Sequence, residues 1–238
     1  MPVPHDRRPA ISRRLQKHEV QEKIRAAVVR GDLAPGSRLR DAELEAWLGV
    51  SRTPIRTALV RLETVGLVES VPQRGTRVAR PRPSVVPDLV AALCALWRDL
   101  PREGRGLLRP GSAREVRGLL DRCSASIETF RSAPRPGVDE SRAVVDALFA
   151  CVAHLEGDDV PAVTRAVLDD LGARLRHQAA LLGRRLDTGS LTVCLAEVDT
   201  AVSAGDPRAL QGALDALARR TAVVRRAPQS PRPPWWRR

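Results

Sequence analysis

The sequence predicts an α+β unit over residues 18–80 followed by an all-α helical bundle over residues 88–224. Three observations carry this. Apolar residues recur at helical spacing three times before residue 66, and two short β-prone runs then flank Pro72-Gln73-Arg74-Gly75. From about residue 85 onward the pattern is helical throughout. The charge is also lopsided: residues 1–83 hold 17 basic and 9 acidic side chains, residues 84–224 hold 18 and 19, and residues 225–238 hold 5 and none. A basic module therefore precedes a neutral one, which points to a polyanion partner for the first part alone.

Residues 1–17 are polar and aperiodic and read as a flexible basic arm. Val20, Ile24, Ala27 and Val28 form the apolar stripe of a first helix over 18–30, which Gly31 stops. Ala34-Pro35-Gly36-Ser37 suits a type II turn, with proline second and glycine third. Leu39-Arg40 reads as strand-like. Asp41 is placed to cap a second helix to about Leu48, with Leu44 and Leu48 inward and Gly49 past its end. Ser51 or Thr53 can cap a third helix with Pro54 in its first turn, burying Ile55, Ala58, Leu59 and Leu62 to about Val65. Two helices joined by Gly49-Val50-Ser51 must cross at a sharp angle, which is helix-turn-helix geometry. Leu67–Val71 and Thr76–Ala79 then predict a hairpin with a basic tip, completing a winged helix-turn-helix.

Residues 81–87 are Pro-rich and read as a stiff linker. Helices are predicted near 85–100, 112–132, 139–155, 160–184, 189–204 and 207–224. A Ser112…Glu115 capping box and Asp206-Pro207 as cap and first residue support two of these starts. Residues 225–238 read as a disordered Pro/Arg tail ending in Trp235-Trp236-Arg237-Arg238.

Composition narrows the function. Hydrophobic residues at 43% suffice for a core and exclude wholesale disorder. No apolar run approaches the roughly 18 residues of a membrane span. No apolar segment follows the basic N-terminus, so the chain reads as cytoplasmic. Cys94, Cys123, Cys151 and Cys194 form no C-x-x-C pair and read as reduced core thiols. Aromatics are 3% with no tyrosine, too few for a reader that stacks bases, so duplex DNA fits better than RNA or single strands. His5, His18, His154 and His177 lack metal-ligand spacing, and no P-loop, Gly-x-Ser-x-Gly or Gly-x-Gly-x-x-Gly occurs, so no enzyme is expected.

Residues 24–80 resemble the DNA-binding domain of the GntR transcription regulators. The resemblance runs through Gly31-Asp32-Leu33-Ala34-Pro35-Gly36-Ser37-Arg38-Leu39, Leu48-Gly49-Val50-Ser51-Arg52-Thr53-Pro54-Ile55-Arg56, Gly66-Leu67-Val68-Glu69 and Arg74-Gly75-Thr76-Arg77-Val78. Glu45 and Thr57 depart from that pattern. The helical remainder more distantly resembles the FadR-like effector domain, often called FCD, whose metal is held by Asp-x-x-x-His and two later histidines. Asp146 matches the first ligand, but Ala150, Leu195 and Leu217 fall on the histidine positions, and Leu93 falls on an Arg that helps hold a carboxylate ligand. The resemblance thus implies a fold without its metal or acid site, so no cofactor is expected, and any effector is apolar.

Arg52 and Arg56 stand one turn apart on the third helix, whose N-terminal residues would reach base edges in a major groove. Arginine can donate twice to guanine O6 and N7. Ser51 and Thr53 match family positions that touch phosphate or base. Arg74 and Gly75 suit a wing-tip probe of the minor groove. Arg38, Arg40 and Arg77 are expected to contact phosphate, which positions without specifying. The resemblance therefore implies a dimeric, ligand-responsive repressor on a pseudo-palindromic operator. The alternative is a ligand-independent interaction module tethered to DNA, its helical domain recruiting protein partners.

Overall fold

In the computed structural model of the 238-residue chain, residues 17–73, 75–99, 112–156, 160–178 and 186–223 are described. The basic arm before Lys17, Arg74 and the tail with Trp235 and Trp236 lie outside the described residues.

Helix α1 (Lys17–Arg30) buries Val20, Ile24, Ala27 and Val28, and α2 (Asp41–Leu48) buries Leu44 and Leu48. Helix α3 (Arg52–Val65) buries Ile55, Ala58, Leu59 and Leu62. These stripes meet in one core with Leu33, Leu39, Leu67, Val68 and Val78. Strands β1 (Val68–Val71) and β2 (Gly75–Val78) pair antiparallel, Val68 opposite Val78 and Val71 opposite Gly75. The predicted turn at 34–37 forms, with the Ser37 amide donating to Ala34 O at 3.0 Å and Gly36 at φ +80°. The strand-like stretch sits earlier than predicted: Arg38 bridges Arg77, and the Leu39 amide donates to Thr76 O at 2.8 Å. The reason is that Gly36 and Ser37 already exchange backbone bonds with Val78.

The segment read as a linker contains a 3-10 turn (Pro83–Val85) that leads directly into α4 (Val86–Asp99). The bundle continues with α5 (Ser112–Ser132), α6 (Val138–Glu156), α7 (Ala162–Gln178), α8 (Thr188–Ala204) and α9 (Pro207–Val223). Asp206 accepts from the Arg208 and Ala209 amides and caps α9, with Pro207 in its first turn. Asp187 caps α8 through the Ser190 amide at 3.0 Å, a cap absent from the sequence reading. Helices α5, α6, α8 and α9 share a core around Val116, Cys123, Phe130, Val144, Leu195 and Val198. Helices α4 and α7 meet through Leu89, Leu93, Leu168 and Leu175. All four cysteines are free and buried, and burial pushes the Cys94 thiol up to about 12 and the Cys194 thiol up to about 11. No helix among the described residues is long and apolar enough to cross a membrane.

Helix α7 also docks on the N-terminal unit. Ala173 joins the core of that unit. Arg25 Nη2 donates to Asp169 O, the Arg82 amide donates to Gln178 Oε1, and His177 Nε2 lies 2.8 Å from Ala79 O. Burial is the main force on His177 and pushes its pKa below the ordinary value. Arg142 adds to that depression, and the carbonyls of Ala79 and Val28 oppose it.

Two predictions follow from this packing. A Cβ built on Gly172 would lie 2.7 Å from the Phe149 ring, itself wedged edge-on against Trp97 at 5.7 Å between ring centres and capped by Arg176 at 4.2 Å. Gly172→Ala is therefore expected to lose about 1–2 kcal/mol despite alanine's better helix propensity. A thermal midpoint at or above the wild type would contradict this close approach. The second concerns pH. The unfolded chain takes up a proton on His177 near pH 6.5 that the folded ring, its pKa depressed, still refuses, so stability falls as pH drops through that range. The wild-type midpoint should fall more steeply between about pH 7.5 and about pH 5.5 than that of His177→Gln; equal slopes would exclude the buried neutral ring.

Candidate nucleic-acid interface

Gly49 adopts the left-handed conformation, φ +68°, and its amide donates to Glu45 O, closing α2 before the chain turns into α3. An L side chain is strained there. Ser51 takes the extended N-cap backbone conformation of α3, yet its side chain makes no cap hydrogen bond. Burial of one stripe of α3 leaves Ser51, Arg52, Thr53 and Arg56 exposed on the other. The structure thus brings these four predicted site residues to one face.

Asp41 is not the cap of α2 expected from its residue type. It is the first helical residue, Arg40 holds the cap position, and the carboxylate is drawn instead to α3. Asp41 Oδ2 accepts from Arg52 Nε and, at 3.2 Å, from Arg56 Nε. Partial burial pushes this carboxyl up, but the hydrogen bonds and charges of Arg52 and Arg56 outweigh it and hold the pKa below the usual carboxylate value. Arg40, 63% exposed, pairs loosely with Glu43 at 3.2 Å.

The wing is held beside α3 by Glu63, whose two carboxylate oxygens accept from the Ser70 amide at 2.8 Å and the Ser70 hydroxyl at 3.0 Å. Sequence reasoning missed this clamp, because Glu63 reads as one more exposed helical acid. Arg38 is exposed beside the wing, its Nε 3.6 Å from where a Gly75 Cβ would lie. Gly75 itself has φ +76° and is exposed at the hairpin end. Arg77 is placed differently from the other arginines: it is half-buried and donates from Nε to Glu69 Oε1 at 2.7 Å, while Arg82 reaches the same carboxylate at 3.6 Å. Arg74, the predicted tip residue, lies outside the described residues.

The helical domain offers no comparable arrangement among the described residues. The Asp146 carboxylate accepts from Arg176 Nε at 2.8 Å. Ala150 lies on the exposed side of α6, because α6 turns Val144, Val145 and Cys151 inward. Leu195 and Leu93 are buried in separate cores. His154 pairs with Glu115 at 3.4 Å. These residues do not fit a His-and-carboxylate metal centre: the one carboxylate has a guanidinium partner, and the other three positions carry no donor.

Comparison with known proteins places this geometry. Residues 16–78 match the family "Bacterial regulatory proteins, gntR family". The chain is 36% identical over 116 residues to an HTH-type transcriptional regulator in an unstable DNA locus of Streptomyces ambofaciens, covering 45% of this chain and 49% of that protein. It is 39% identical over 88 residues to a D-xylose utilization operon transcriptional repressor of Paenarthrobacter nicotinovorans, covering 35% of this chain and 38% of that one. The chain thus spans half or less of the length of these two relatives. The crystal structure of a GntR transcriptional regulator from Rhodococcus sp. RHA1 superposes over 90% of this chain and 99% of its own, with a TM-score of 0.62 and 21% identity. That likeness extends the shared fold through the helical domain.

Proposed function

Residues 16–78 being a gntR-type helix-turn-helix domain with an antiparallel wing, we propose that the whole chain is a transcriptional regulator that binds a pseudo-palindromic duplex operator as a homodimer and represses by occupying it. The observation that carries this is the α3 face: Ser51, Arg52, Thr53 and Arg56 exposed together in the first turns of a helix set off by the Gly49 turn. That face fits a major groove, and its two arginines fit guanine. One winged helix reads few base pairs, so two-fold repetition is the expected route to specificity. The repressor named among the relatives supports the direction of regulation.

The helical domain is read as the dimerisation and effector unit of the FadR-like branch, with its metal centre lost. Asp146 is engaged by Arg176, and Leu195 and Leu217 pack into or against an apolar core where that branch has histidines. Any effector is therefore an apolar molecule rather than a small hydroxy acid, and operator binding should not respond to chelators.

Selection of bound fragments from the source genome tests this reading and supplies the operator. Sites with two inverted half-sites are expected; a strictly monomeric protein without sequence preference would refute it. On such an operator, Arg52→Ala and Arg56→Ala should each cost about 1–3 kcal/mol per half-site and relax base preference locally. Arg40→Ala should weaken all duplexes alike and reduce the salt slope by about one unit per half-site. Identical behaviour of the three variants across operator mutants would contradict the division between readers and positioners.

A further inference from the structure

An acid on a DNA-facing surface is repelled by phosphate, so Asp41 calls for an account. Its carboxylate lies within the helix-turn-helix, 11 residues before Arg52 and 15 before Arg56, and accepts from the Nε of both. The acid sits low, 20% exposed, beneath guanidinium side chains that are 60% and 63% exposed. Among the described residues, the terminal nitrogens of these two arginines have no other hydrogen-bond acceptor.

Resting on the DNA-binding reading above, we infer that Asp41 is a positioning residue for base recognition: it holds Arg52 and Arg56 by their Nε atoms and leaves both Nη1/Nη2 edges for guanine O6 and N7. Three physical consequences support the assignment. Arginine has a long, freely rotating stem, and tethering Nε removes much of that freedom before the duplex arrives rather than during binding. Two guanidiniums one turn apart repel each other, and a shared carboxylate cancels one of the two charges. Exposed ion pairs add little to folding stability, so the arrangement is poorly explained as a fold stabiliser. The geometry also selects the docking mode. With Nε occupied, each arginine approaches guanine end-on, which favours G·C pairs at both contacted positions.

The test uses the full-length chain and three duplexes: the selected operator, the operator with the contacted G·C pairs replaced, and a random sequence. Asp41→Ala should weaken operator binding roughly tenfold while binding the random duplex as well as the wild type or better, since a negative charge has gone. Discrimination between the first two duplexes should fall by the same factor, and Asp41→Glu should restore part of it. In an Arg52→Ala, Arg56→Ala background, Asp41→Ala should leave discrimination unchanged, because nothing remains to position. Unchanged thermal midpoints show that the variants fold. If Asp41→Ala tightens all three duplexes equally, or lowers discrimination in the background lacking both arginines, the inference is overturned while the DNA-binding reading stands. A wild type that fails to prefer its operator overturns both.

Discussion

The left-handed turn at Gly49 is the constraint on which the exposed face of α3 depends. It ends α2 abruptly and lets α3 begin three residues later, and the first turn of α2 lies beside the first turn of α3. That proximity makes the Asp41 contacts to Arg52 and Arg56 possible. It also directs the apolar stripe of α3 toward α1, which forces the polar stripe outward. The wing follows from the other end of the same helix: Gly66, again left-handed, releases the chain into β1, and Glu63 ties Ser70 back to α3. A residue with a Cβ at Gly49 meets no neighbour, so its cost there is purely conformational.

The two parts of the chain are not beads on a string. Helix α7 contributes Ala173 to the N-terminal core and meets the segment after the wing through His177 and Gln178, both almost fully buried. Arg174 and Arg142 close over the left-handed glycines 66 and 31 that end α3 and α1. Movement of α7 relative to α6 would therefore reach α1 directly. The tight Phe149–Gly172 approach couples those two helices in turn.

Much of this fold was legible because its signals are local. Apolar stripes such as Ile55-Ala58-Leu59-Leu62, glycines just past helix ends, and the Asp206-Pro207 start each depend on residues within a turn of one another. The exposed arginine pair was legible for the same reason: helical spacing alone puts Arg52 and Arg56 on one face. What escaped were partnerships between elements. An aspartate at a helix start suits a cap, and only the crossing of α2 and α3 shows the Asp41 carboxylate serving two arginines. Nothing local marks Glu69 as the cross-strand partner of Arg77. The His177 contact with Ala79 spans 98 residues, beyond the reach of any local pattern.

The central claim is that arginines on α3 read guanine in the major groove. Methylation interference at guanine N7 on the selected operator measures that contact atom by atom, because a methyl group on N7 blocks the donor edge of arginine without altering the phosphates. The account predicts strong interference at guanines in both half-sites, related by a two-fold axis, and its disappearance at individual guanines when the matching arginine is replaced by alanine. Operator binding with every guanine N7 tolerant of methylation would contradict it.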